Sequence, residues 1–196
     1  MLFFRLRRGV LGVALLCAGC APVNLDAPHE DLGDFRLGHA IVLAGNAKPI
    51  PPSRRALAEE WETVLREEIT TRFGGRGGRR LYHIAVNVDG YALAVPGVPV
   101  VAAPKSVLVI SANLWDDAAG RKLHDAPEQI VVFEDLGADT LIGTGLTRSR
   151  EEQMRALARN AALQIERWLA RHRDAWLQQP GTVGDQQGLD FQAPSK

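Results

Sequence analysis

Hydrophobic positions along the chain form two stripes at helical spacing and four runs with the character of strands. Leu57, Trp61, Val64, Leu65, Ile69 and Phe73 recur every three or four residues, so the segment after Pro51-Pro52-Ser53 predicts an amphipathic helix. Ser53 is its expected N-cap, and Gly74 its expected left-handed terminator. The opposite face offers Glu62 with Arg66 and Glu68 with Arg72 at i, i+4 spacing. A second stripe comprises Met154, Leu157, Ala158, Ala161, Ile165, Trp168 and Leu169, and opens at Ser149-Arg-Glu-Glu152, a capping box. Alanines at 158 and 161 suit close approach to a sheet, and Arg167, Arg171, His172 and Arg173 gather where a helix C-terminus favours cations.

Strands are expected at Phe35–Leu43, Tyr82–Tyr91, Ser106–Trp115 and Gln129–Glu134. In the second, Tyr82, Ile84, Val86 and Val88 point one way, and His83, Asn87 and Asp89 the other. Asp116-Asp-Ala-Ala-Gly120 has turn chemistry, so the last two strands should form a hairpin. The order β-α-β-β-β-α predicts an α+β fold: a single, mostly antiparallel four-stranded sheet with two amphipathic helices on one face.

The N-terminus has a different character. Arg5, Arg7 and Arg8 precede an apolar run from Gly9 to Gly19 that ends in small residues, the pattern of a secretory signal. The run is too short to span a bilayer, which takes about 20 apolar residues. At its end, Leu16-Cys17-Ala18-Gly19-Cys20 resembles the lipobox of bacterial lipoproteins, with Cys17 standing where leucine is usual. The resemblance implies cleavage after Gly19 and acylation of Cys20, and Ala21 in the following position implies an outer-membrane destination facing the periplasm. Several acyl chains anchor stably where one does so only marginally. The chain has two cysteines; one is removed and the other acylated on this reading, leaving no thiol for a disulfide, a metal site or a nucleophile.

Processing would also change the charge. The whole chain carries 23 basic and 23 acidic residues, and loss of residues 1–19 removes three arginines, a balance of −3. That argues against a nucleic-acid binder acting through bulk charge. Residues 20–34, with two prolines and several acids, read as a lipidated tether; 35–177 as the periplasmic domain; and 178–196, rich in Gly, Pro and Gln, as a disordered tail.

With its anchored start, this element order resembles the ABC-transport auxiliary lipoproteins of the PqiC type and the LpoB lipoproteins, whose domain is like the N-terminal domain of TolB. The likeness spans roughly residues 35–170 as a pattern and carries over no functional residue except Cys20.

Candidate chemistry is sparse. HExxH, G-x-S-x-G and the P-loop pattern are missing, and the five histidines are not paired at ligand spacing, so no catalytic residue, metal site or cofactor is assigned. His83 reads as an exposed strand histidine, and Asp116 and Asp117 as turn residues. Gly74-Gly-Arg-Gly-Gly-Arg-Arg80 is a linker or, less simply, an anion cradle; Gly143-Thr-Gly145 lacks the lysine of a phosphate loop. The most unusual stretch is Ala92–Pro104, apolar, uncharged and broken by three prolines. Either it covers one end of the core, or Val98, Val100 and Val101 form part of a docking surface. The expected function is a non-catalytic, membrane-anchored envelope lipoprotein that binds an envelope protein or itself. The alternative is a lipid- or small-ligand-handling auxiliary of a transporter.

Overall fold

The computed structural model describes residues 27–95, 106–134 and 148–177. Its elements are β1 (Phe35–Leu43), β2 (Lys48–Pro49), α1 (Ala58–Phe73), β3 (Arg80–Ala92), β4 (Val107–Asp116), β5 (Arg121–Lys122), β6 (Glu128–Phe133), α2 (Arg150–Arg171) and α3 (Arg173–Trp176). One open sheet holds all six strands: β1 and β2 lie beside β3, β3 beside β4, and β5 and β6 beside β4. The sheet is therefore four strands wide, with each edge built from two segments.

This corrects the expected four-stranded, mostly antiparallel sheet in two respects. Two edge segments are only two residues long, below what periodicity detects. Both β1 and β2 pair with β3 in parallel, Phe35 opposite Arg80 and Lys48 opposite Gly90. The reason is α1, which carries the chain back to the end of the sheet where β1 began, as a parallel crossover requires. The hairpin expectation holds: β4 pairs antiparallel with β6, Val107 opposite Phe133 and Ala112 opposite Glu128.

Alternation in β3 and β4 divides the sheet into two faces. Tyr82, Ile84, Val86, Val88, Leu108, Ile110, Ala112 and Leu114 are buried under the helices, with Trp61, Leu65, Ile69 and Phe73 of α1 and Leu157, Ile165, Trp168 and Leu169 of α2 above them. The capping box at α2 is formed: Glu152 N–H donates to Ser149 Oγ at 3.1 Å, and Ser149 N–H to the Glu152 carboxylate at 2.7 Å. The start of α1 differs from expectation. Ser53 lies four residues before the N-cap residue, Leu57, and accepts the Leu93 N–H at 2.9 Å. Residues 53–56 run along the end of β3, where the Tyr91 hydroxyl holds both Ala56 N–H and Ala56 C=O. The helix begins after Leu57, whose N–H is taken by Glu60 at 2.7 Å. Gly74 is right-handed (φ −70°), not left-handed, and its N–H continues the helical pattern to the Thr70 carbonyl.

Strand directions give the domain two distinct ends. β1, β3 and β6 run one way and β4 the other. The helices run parallel to each other, since Arg150 reaches Glu60 near their starts and Arg72 reaches Glu166 near their ends. Phe35, Arg80, Asp116 and the C-termini of both helices therefore share one end. Leu43, Ala92, Val107, Phe133 and the helix N-termini share the other, which also roots the connections through 96–105 and 135–147.

At the first end four rings close the core. Trp176 stacks on His172 at 4.1 Å, and Trp168 meets His124 edge-on at 5.2 Å. His124 is fixed by its bonds: Nε2 accepts the Leu114 N–H at 3.0 Å while Nδ1 bonds the Ala126 carbonyl at 2.6 Å. Truncating the indole at the centre of this cluster leaves a large hole. We expect Trp168→Ala to cost about 3–5 kcal/mol, read from urea denaturation of the domain.

Candidate functional site

Glu166 lies among the apolar positions of α2, and its side chain is completely buried. Both carboxylate oxygens are occupied by guanidinium groups: Arg72, in the last turn of α1, bonds Oε2 through Nε (2.8 Å) and Nη2, and Arg76, just beyond the helix, bonds Oε1. His29 Nδ1 approaches Oε1 at 3.2 Å. The same arginines hold the N-terminal strap. Arg72 donates to the carbonyls of Ala27 and Pro28, and Arg76 to that of Glu30 at 2.8 Å. Asp31 pairs with Arg173 at 2.6 Å, and Leu32 is buried in the core. Burial pushes the Arg76 guanidinium below its ordinary value, opposed chiefly by the charge of Glu166. Residues 27–34, read from composition as the end of the tether, are thus fastened to the body.

The arginine-rich linker serves these contacts. Arg79 pairs with Asp34, whose carboxyl is held below the usual range first by the backbone N–H of Arg79. Arg80 reaches the buried Asp116 at 2.6 Å. Gly78 passes so close to the strap that a Cβ there would lie 2.4 Å from Phe35 O. The linker reading of residues 74–80 accounts for this geometry. Glu166 itself escaped the sequence reading; the available signal was a glutamate within an apolar helical stripe, together with two arginines four residues apart at a helix end.

At the loop end, a polar cluster ties Ala94, Ser106, Glu134 and Arg148 together. Glu134 is buried and pairs with Arg148 at 2.8 Å; the Arg148 carbonyl accepts from Arg54. Ser106 is buried, accepting the Ala94 N–H at 3.1 Å on its hydroxyl and the Glu134 N–H at 2.9 Å on its carbonyl. Gln153 joins at the Ala94 carbonyl. Cys20, Val98, Val100 and Val101, like Gly143 and Gly145, lie outside the described residues.

The sheet face turned from the helices is mixed. Asp89 accepts from Asn87 and Ser111, each at 2.7 Å, in its middle. Ile41, Leu43, Val131 and Phe133 stand exposed around this centre, Phe133 at 57%. His83 departs from the expected exposed histidine: its side chain keeps only 19% of its surface, with Nδ1 accepting the His39 N–H at 3.0 Å and Nε2 beside Asp117 at 2.9 Å. A bulge in β1 at Gly38-His39 makes this possible, since a Cβ on Gly38 would lie 2.6 Å from the imidazole. Asp116 and Asp117 diverge, one to Arg80 and one to His83, so they do not converge as a catalytic pair. Ala119 N–H on Asp116 and Gly120 at φ 60° complete the predicted turn. Among the described residues no three His, Cys, Asp or Glu side chains group as a metal site, and no helix is long and apolar enough to cross a membrane.

Comparison with known proteins gives likenesses in solved structures only; no family model matches, and no curated protein matches. A DUF330-family protein from Xanthomonas campestris is 14% identical, with a TM-score of 0.46 over 71% of this chain and 87% of that one. A protein from Caulobacter crescentus described as a lipoprotein is 16% identical, with a TM-score of 0.37 over 66% and 91%. A minor lipoprotein from Acinetobacter baumannii is 14% identical, with a TM-score of 0.29 over 67% and 92%.

Two consequences of the charges are measurable. Removing Glu166 leaves two guanidinium groups without their counter-ion. We expect Glu166→Gln to destabilise by about 3–5 kcal/mol and to open residues 27–34 to proteolysis. Arg79→Ala, at an exposed pair, should cost less than about 1 kcal/mol. Glu68 behaves in the opposite sense to a paired carboxylate. Desolvation raises its pKa above the ordinary 4.5, against the attraction of Arg159 and Arg155. A raised carboxyl favours the fold below its unfolded value and loses that contribution as pH rises through the folded value. Glu68→Gln should therefore raise the melting temperature at pH 7 relative to wild type, with the difference vanishing near pH 3.5.

Proposed function

We propose that the chain is a non-catalytic lipoprotein, anchored through acylated Cys20 to the periplasmic face of the outer membrane, whose domain binds an envelope partner. The observation that carries this reading is the distribution of exposed apolar side chains. Leu43, Ile50, Leu57 and Phe133 all lie at the loop end, with Val131 and Ile41 extending the set along the open face. Large apolar side chains left exposed together at one end of a domain are a mark of an interaction site. The uncharged segment that contains Val98, Val100 and Val101 departs from the same end, and on this reading adds to the docking surface. Its three prolines restrict the free chain, so less entropy is lost when a partner holds it.

The strap supports the anchored half of the proposal. Six residues separate Cys20 from Ala27, a span of at most about 25 Å when fully extended. The membrane is then joined to the end of the domain opposite the apolar rim. Cys20→Ser should leave the protein unprocessed or released from the outer-membrane fraction, as fractionation and intact mass will report. A mutant with wild-type mass shift and wild-type fractionation would remove the anchor from the reading.

A further inference from the structure

The first three turns of α1 and the first two of α2 line a surface groove of about 430 Å³. Val64 is half-buried and Met154 buried, and they supply an apolar floor. Glu59, Glu67 and Glu151 line the groove and are exposed, against one lining cation, Arg155. Glu60 is taken by the Leu57 N–H and by Arg150, which hold its carboxyl below the ordinary value in that order, and Arg150 also pairs with Glu151 at 2.8 Å, so four carboxylates stand against Arg150 and Arg155 and the groove keeps an acidic excess. The groove lies at the helix N-termini, on the end of the domain away from the strap.

We propose that this groove seats an amphipathic helix of a partner protein, apolar on the side that meets Val64 and Met154 and basic along its flanks. The proposal rests on the partner-binding reading above and names the chemistry of the partner. Three observations select this occupant. First, an apolar strip bounded by acids along two parallel helices matches a basic amphipathic helix, whose apolar side chains recur every three or four residues. Second, an anionic lipid surface is repelled by the glutamate rim. Third, the groove and the strap occupy opposite ends of a sheet whose longest strand, of 13 residues, spans about 40 Å, beyond the roughly 25 Å reach of the linker. An end-to-end contact between two copies would place their anchors on opposite sides of the pair, which one membrane cannot satisfy.

The experiment uses the full chain in the cells that make it, with a photoreactive phenylalanine analogue at Thr63, which lines the groove, and separately at Leu43 on the open sheet face. Crosslinked segments are identified by mass spectrometry. The expected result is a Thr63 adduct with a protein segment carrying Lys or Arg on one helical face. Its yield should fall at least tenfold in a Glu67→Lys, Glu151→Lys variant of unchanged melting temperature. Should that reversal unfold the domain, Glu59→Gln with Glu67→Gln replaces it, with an expected threefold fall. An adduct with lipid, with a second copy or with a non-basic segment overturns the proposal, as does an undiminished yield. No adduct at Thr63 beside one at Leu43 overturns the groove and leaves the docking reading standing. No adduct at either position overturns both.

Discussion

The assembly depends on one buried carboxylate. Glu166 sits where α2, the end of α1, the arginine linker and the N-terminal strap meet, and it pairs with the two arginines that reach the strap. Taking a carboxylate and two guanidinium groups out of water is costly, and an apolar cluster of the same volume would hold the helices together at least as strongly. What the charges add is direction. A carboxylate offers lone pairs in fixed positions, the two arginines use them, and Arg72 Nη2 and Arg76 Nη1 reach on to the carbonyls of Ala27, Pro28 and Glu30. A greasy contact could slide; this one sets the register of the strap and therefore where Leu32 enters the core.

Much of the architecture was legible in the chain. Helical stripes, alternation in β3, the Ser149 capping box and the β4–β6 hairpin all follow from local pattern. The direction of β1 was not, because a parallel and an antiparallel edge strand have the same period, and only the packing of α1 distinguishes them. The partners of Arg72 and Glu62 were also misplaced by local logic. At i, i+4 spacing they suit Glu68 and Arg66 on the surface of α1, yet Glu62 takes the Ala44 N–H and Arg72 turns to Glu166. An exposed helix pair is worth a few tenths of a kcal/mol, so tertiary partners with unsatisfied groups prevail.

The candidate surfaces were legible to a different extent. Apolar excess was visible in the sequence of Ala92–Pro104, but the exposure of Leu43, Ile50, Leu57 and Phe133 at the loop end depends on separate elements ending together. Those residues occupy unrelated stretches of sequence and belong to one region only because β1, β3 and β6 share a direction. The acidic groove is hidden for the same reason: its two walls are some ninety positions apart in the chain, with Glu60 reaching Arg150 across it.

The fastened strap also has a mechanical meaning. In a domain held to a membrane by its N-terminus, any pull from the far end enters the fold through residues 27–34. The first bonds loaded are then the guanidinium contacts around Glu166 and the Asp31–Arg173 pair, not the ladder between β1 and β3. On the anchored reading the strap would work as a strain relief, keeping tension off the edge strand and leaving the geometry of the distal surfaces undisturbed while the anchor moves.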